Sequence, residues 1–115
     1  MTVKEIIQIL DAEVITAGDL EAEVKTACGS DMMSDVLAFV KDQSVLLTGL
    51  TNPQVVRTAE MMDMRCVIFV RGKIPGDDVI ALAKQKEITI LKTQHRMFTA
   101  CGLLYNNGLS GGSQS

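Results

Sequence analysis

Two segments of this chain share one form, and that form constrains the fold more than any other feature. Val45 to Met62 reads V-L-L-T-G-L-T-N-P-Q-V-V-R-T-A-E-M-M, and Val67 to Lys84 reads V-I-F-V-R-G-K-I-P-G-D-D-V-I-A-L-A-K. Each passes from a short apolar run through a glycine-containing bend to a proline and then an amphipathic stretch. The only two prolines, Pro53 and Pro75, mark the same point in both. This is the sequence form of strand, loop and helix, repeated at a spacing that suits a parallel sheet. The repeat places both bends on one edge of that sheet, the edge where ligands bind in open α/β sheets.

The flanking sequence extends the pattern. Thr2 and Glu5 form a capping box for a helix through Ile6, Ile7, Ile9 and Leu10. Glu13 to Thr16 reads as a first strand, Ala17-Gly18-Asp19 as a turn, and the alternating Glu23 to Ala27 as a second strand. Ser30 or Asp31 is placed to cap a helix with Met33, Val36, Leu37 and Val40 as its buried stripe, ending near Lys41-Asp42. Asn52 and Pro53 suit the N-cap and first position of the next helix, whose inner face is Val55, Val56, Ala59 and Met62. Val67 to Val70 is the following strand. Asp77 and Asp78 suit the first turn of the helix after Pro75, with Val79, Ile80 and Ala83 inward. Thr89 to Leu91 is a further strand. Thr93 is placed to cap a last helix through Met97, Phe98, Cys101, Leu104 and Tyr105, which Asn106-Asn107-Gly108 ends. The expected architecture is α/β: a single three-layer domain over residues 1–109, with a mainly parallel sheet flanked by helices. Residues 110–115, S-G-G-S-Q-S, read as a flexible tail.

At 115 residues such a domain can bury a core without disulfides or metal. The formal charge of −3, with basic residues scattered, argues against nucleic-acid binding, which needs a basic face. The N-terminus lacks the apolar region of a signal peptide, and no apolar run approaches the roughly 20 residues that span a bilayer. No membrane partner is expected. Three cysteines without a C-x-x-C pair fit a reducing compartment, and the expected location is the cytoplasm. Their spacing gives no zinc pattern, so no metal is expected.

The residues that point to chemistry lie in three bends: Thr48-Gly49-Leu50-Thr51-Asn52, Arg71-Gly72-Lys73 and Thr93-Gln94-His95-Arg96. On adjacent parallel strands these bends share one rim. Glycine lets backbone N–H groups approach a ligand, helix N-termini favour anions, and Arg71, Lys73 and Arg96 add charge. Thr48, Gly49, Thr51, Asn52, Arg71, Gly72, Lys73, Thr93 and Gln94 are the candidate binding residues for a small anionic ligand such as a nucleotide. The competing reading is structural, since any α/β domain uses Gly and Thr in such turns. Neither G-x-x-x-x-G-K-[ST] nor G-x-G-x-x-G occurs, which argues against phosphoryl transfer. His95, the sole histidine, has no acid or nucleophile suggested beside it. Neither a catalytic residue nor a cofactor is expected. Cys28 precedes a helix, a position that lowers a thiol pKa; Cys66 and Cys101 read as small core residues.

Met32, Phe39 and Met61 fall outside the buried stripes of their helices, and the last helix is apolar nearly all round. One small sheet covers only one face of each helix, so the surplus points to a partner, most simply a homodimer. The alternative is a pure interaction domain that docks this surface on a metabolic enzyme.

With its elements placed, the chain resembles the DRTGG-domain family over nearly all its length. The resemblance is carried by S-D-M-M-S-D-V-L-A-F (Ser30 to Phe39), V-L-L-T-G-L-T-N-P-Q-V-V-R-T-A (Val45 to Ala59), V-I-F-V-R-G-K-I-P (Val67 to Pro75) and T-I-L-K-T-Q-H-R-M-F (Thr89 to Phe98). It implies a small α/β domain similar to the N-terminal domain of HPr kinase/phosphorylase. Such domains also occur inside CBS-domain pyrophosphatases and beside phosphotransacetylase domains, as regulatory or dimerisation modules. This chain carries the module without those catalytic partners and is expected to be a free-standing form. Where the family pattern has Asp-Arg, this chain has Asn52-Pro53; where it has Thr-Gly-Gly, this chain has Arg71-Gly72-Lys73. The resemblance thus carries over these positions but not the family's own side chains.

Overall fold

A computed structural model describes residues 1–39 and 44–112. Its elements are α1 (Val3–Leu10), β1 (Glu13–Thr16), β2 (Ala27–Gly29), α2 (Met33–Phe39), β3 (Val45–Thr48), α3 (Gln54–Met61), β4 (Cys66–Phe69), α4 (Asp77–Gln85), β5 (Thr89–Lys92) and α5 (Met97–Asn106). The expected helix end at Lys41-Asp42, and Val40 in its stripe, lie outside the described residues.

The five strands form one sheet in the order β1-β5-β4-β3-β2. Strands β2 to β5 are parallel, and β1 closes the β5 side antiparallel. All four residues of both β3 and β4 are buried, which is why these runs are continuously apolar rather than alternating. Pairing runs from Val45↔Cys66 to Thr48↔Phe69 and from Cys66↔Thr89 to Phe69↔Lys92, so β3, β4 and β5 end level. The bends that follow them stand in one row, as the repeat predicts.

The strand order rises steadily from β2 to β5. Crossovers of a single hand then put α2, α3 and α4 on one face. There Met33, Val36, Val55, Val56, Ala59, Val79 and Ala83 pack on Leu46, Val67, Phe69 and Ile90. From α2 to α4 the helices keep to this face, and the chain leaves it after β5. α1 and α5 cover the second face, where Val3, Ile6, Leu10, Ala100 and Leu104 meet Val45, Leu47, Cys66, Ile68 and Leu91. Alternate residues of each strand serve opposite layers, the two-residue period of a pleated strand. Each large side chain so buried contributes about 1.5–3 kcal/mol.

Local signals place the helix starts. The Thr2–Glu5 capping box forms in both directions, with the Glu5 N–H donating to Thr2 Oγ1 (3.2 Å) and the Thr2 N–H to Glu5 Oε1 (3.1 Å). Asn52 Oδ1 accepts the Gln54 N–H (3.0 Å), and Pro53 already has helical dihedrals, so the two play N-cap and first helical residue. The second repeat departs from the first. Pro75 is buried ahead of the N-cap Gly76, and residues 70–76 make a longer connection than residues 49–53.

Five expectations are corrected. The second strand is Ala27–Gly29, not Glu23–Ala27; Glu23 is held in an isolated bridge to Thr2, and alternation there serves to bury Val24. Leu37 is exposed rather than part of the α2 stripe. In α5 the inward residues are Ala100 and Leu104, while Phe98 (90% exposed) and Tyr105 (68%) face out, because a helix apolar on every side carries no pattern to set its rotation. Thr93 does not cap α5: its hydroxyl donates to the Leu10 carbonyl (2.9 Å), tying β5 to the end of α1, and Arg96 occupies the N-cap. Ser110, counted with the tail on sequence grounds, pairs with the open side of β2. The Ala27 N–H donates to its carbonyl (2.9 Å), and its own N–H donates to that of Lys25 (3.3 Å). Among the described residues no helix is long and apolar enough to cross a membrane.

Candidate functional site: the carboxyl rim of the sheet

The place in this topology that resembles a ligand crevice lies between β4 and β5, where one connection leaves for the α4 face and the next for the α5 face. Main chain fills it. Val70-Arg71-Gly72-Lys73 is a tight reverse turn, with φ of 59° at Arg71 and 67° at Gly72 and the Lys73 N–H donating to the Val70 carbonyl (3.2 Å). Positive φ at both central positions is the mirror-image turn that favours glycine at its second place. The turn is then sewn to the β5 bend: the Arg71 N–H donates to the His95 carbonyl and the Gly72 N–H to the Thr93 carbonyl, both at 2.8 Å. Gln94 lies so close over Gly72 that a Cβ there would stand 2.6 Å from its Oε1.

The side chain of Arg71 lies one strand over, above β3. A Cβ on Gly49 would collide with Arg71 Nη2 and stand 3.4 Å from Asp31 Oδ1. The guanidinium of Arg71 therefore lies across Gly49 next to the carboxylate of Asp31, and glycine is what allows that approach. Asp31 is fastened there, its Oδ1 accepting the Gly49 N–H (2.6 Å) and the Thr48 hydroxyl (3.1 Å). Among the described residues no ion pair involves Arg71, Lys73 or Arg96, and all three are exposed.

The candidate residues thus divide. Arg71 and Lys73 present charge to solvent at the rim. The Thr48 hydroxyl donates to Asp31 and accepts the Leu50 N–H, Asn52 caps α3, Thr93 ties down α1, and Gln94 covers Gly72. The backbone N–H groups of Gly49 and Gly72, expected to face a ligand, are already bonded inside the chain. Thr51 is half-buried in the bend before α3. Asp31 escaped sequence reasoning, which assigned it to a helix cap. Ser30 takes the local role instead, its Oγ accepting the Met32 N–H (3.0 Å).

Cys28 lies within β2 rather than ahead of a helix, and its thiol is pushed up, not lowered, by burial and then by the neighbouring Cys101. Burial also raises Cys66 and Cys101. Met32 and Met61 are exposed in the α2–α3 layer, and the side chain of Phe39 lies outside the described part. The two larger cavities, about 640 and 500 Å³, lie at the other end of the sheet around Arg65 and Glu87. Their linings mix Asp19, Glu60, Asp63 and Glu87 with Arg65, Lys84 and Lys86. That balance of sign selects no ligand. Among the described residues no cluster of three or more His, Cys, Asp or Glu is arranged to hold a metal.

The whole is a mainly parallel sheet flanked by helices on both faces, with an arginine over a glycine at its carboxyl rim. The DRTGG domain model matches residues 5–106, and the chain belongs to that family. Among solved structures it is similar to the crystal structure of the CBS and DRTGG domains of the regulatory region of Clostridium perfringens pyrophosphatase, complexed with its activator diadenosine tetraphosphate. The TM-score is 0.72 at 20% identity, over 90% of this chain and 45% of that one, a likeness of fold. The chain thus spans less than half the length of that regulatory region. No curated protein matches it.

Proposed function

We propose that this chain is a non-catalytic regulatory domain that senses a small anionic ligand of the nucleotide class at the rim, on the surface formed by Gly49, Arg71 and Lys73. The observation that carries this reading is Arg71. Its backbone is held in a left-handed turn sewn to the β5 bend, and its guanidinium lies over a glycine with no ion pair among the described residues. A planar guanidinium matches phosphate oxygens two at a time, and a pre-set one loses little freedom on binding. Support comes from the family, and from a relative in fold, the regulatory region of a pyrophosphatase solved in complex with its activator, a dinucleoside polyphosphate.

The same turn provides a route for regulation. A ligand drawn to Arg71 acts on the main chain of residues 93–96, and these lead directly into α5. It changes the domain's state only to the extent that it binds one arrangement of that strap better than the other.

The test is thermal unfolding with diadenosine tetraphosphate, ATP and inorganic phosphate, on the wild type and Arg71→Ala. A ligand at a hundred times its Kd adds about 2.7 kcal/mol, which raises the Tm of a domain this small by several degrees or more. Arg71→Ala is expected to weaken binding by about 1.5–3 kcal/mol, the range of a charge-assisted hydrogen bond. No shift with any of the three, or an equal shift in Arg71→Ala, refutes the assignment.

A further inference from the structure

We infer that Phe98 is the residue on which the base of a nucleotide stacks when its phosphates lie on Arg71, so that the rim holds both ends of one ligand. This rests on the ligand reading above and adds the base to it. Phe98 is the second residue of α5 and, at 90%, the most exposed large apolar side chain among the described residues. Ala100 and Leu104 take the side of α5 that meets the core. Helical side chains lean toward the N-terminus, over the turn before their own Cα. Phe98 has no earlier turn of its helix to lie on. Its ring therefore projects past the start of α5, toward the rim, rather than along the flank of the helix.

Two separate ties set that start beside Arg71. The first is the strap, where the Arg71 N–H donates to the His95 carbonyl (2.8 Å). Phe98 follows His95 by three residues, at most roughly 11 Å of chain. The second is the end of β2. Met97 lies over Gly29, where a Cβ would stand 3.0 Å from its Sδ. Gly29 is the last residue of β2, and two residues later Asp31 holds the Gly49 N–H beside the Arg71 guanidinium. The first turn of α5 thus borders the Arg71 site through the backbone of the β4 turn and through the end of β2. Tyr105, the other exposed aromatic of α5, lies roughly 10 Å further along the helix, away from the rim.

The chemistry of the two joined segments selects the ligand. V-R-G-K-I-P (Val70 to Pro75) and T-Q-H-R-M-F (Thr93 to Phe98) contain no acidic residue. Their cations Arg71, Lys73 and Arg96 are exposed and, among the described residues, outside every ion pair. A phosphate by itself has no use for an exposed ring, and an apolar molecule by itself has no use for the cations. A nucleotide carries phosphates at one end and a flat π-face at the other. Stacking on an aromatic side chain tolerates any base, because every base has that face. Phenylalanine has no polar tip, so it meets the face of the base and not its hydrogen-bonding edge.

The test compares ATP with tripolyphosphate, which has the phosphates without the base, on the full chain by titration calorimetry. Phe98→Ala and Phe98→Leu are expected to weaken ATP by about 5- to 150-fold, the range of one base–aromatic stack, and to leave tripolyphosphate unchanged, whereas Arg71→Ala weakens both. The chain has no tryptophan, so Phe98→Trp places a single reporter at the site. Its emission is expected to be quenched by ATP and not by tripolyphosphate, a readout that needs no loss of binding. ATP bound as tightly by Phe98→Ala or Phe98→Leu as by the wild type, or tripolyphosphate weakened as much as ATP, overturns the role of Phe98 and leaves that of Arg71 standing. Emission of Phe98→Trp that saturating ATP does not move, as it would be were the ring covered by another protein surface, overturns it too. A wild type that binds neither compound refutes the ligand reading and the role of Phe98 with it.

Discussion

Asp31 shows how one side chain acquires a role that its neighbours in sequence do not announce. Following Ser30 and preceding a helix, it has the chemistry of a cap. Its carboxylate instead reaches across to β3 and holds the Gly49 N–H and the buried Thr48 hydroxyl, on the side of Gly49 that the Arg71 guanidinium crosses. Asp31→Ala removes two charge-assisted hydrogen bonds from a carboxylate that stays partly in water. The expected loss is about 1–3 kcal/mol, read from the midpoint of urea unfolding. The Thr48→Val variant, which removes only the hydroxyl, is expected to lose less. An Asp31→Ala chain as stable as the wild type would mean the contact contributes nothing.

At the scale of the element, the helices differ in how much of their placement is local. α3 is placed by its own first residues: Asn52 supplies the capping oxygen and Pro53 the fixed φ. Asn52→Ala is expected to cost about 0.5–2 kcal/mol and Asn52→Asp much less, since aspartate caps as well, with chemical denaturation as the measurement. α5 is the contrary case. It has no side-chain cap, its first residue follows a strap bonded to the β4 turn, and its rotation is set by the cavity over β3 that Ala100 and Leu104 fill. Its candidate residues were visible in the sequence, but which of them face the core was not, because an all-apolar helix has no preferred side.

For the whole molecule, the sheet is a gradient from a doubly covered centre to a short edge. Every residue of β4 is buried, with strands on both sides and helices on both faces. β2 is three residues of intermediate or exposed burial at the edge, with Ser110 pairing beyond it. Amide hydrogen exchange is expected to follow: β4 and β3 amides exchange only through global unfolding, while those of β2 exchange through local opening at lower cost. Mass-resolved exchange of the folded chain checks this, and β2 amides as slow as those of β4 would contradict it. The level ends of β3, β4 and β5 also explain why the rim is one surface, since equal strand lengths bring three separate bends into a row.

What the sequence alone determined is what depends on near neighbours. Apolar runs of four gave strands buried on both faces, Asn52-Pro53 and Thr2/Glu5 gave helix starts, and the repeated order of these signals gave parallel pairing with a shared rim that includes Arg71 and Lys73. Those signals act within a turn or two, where dihedral preference and hydrogen bonding to adjacent groups decide the outcome. Tertiary structure alone decided the position of β2, the rotation of α5, the transfer of Thr93 from a cap to the end of α1, and the seating of Asp31 beside Arg71. Each of these turns on which distant group needs a partner once the sheet is assembled: the open side of β3, the apolar cover over Leu47, the Leu10 carbonyl and the Gly49 N–H. A buried polar group is costly to leave unpaired, and buried apolar surface is costly to leave uncovered. Such needs outweigh local preference where the two conflict.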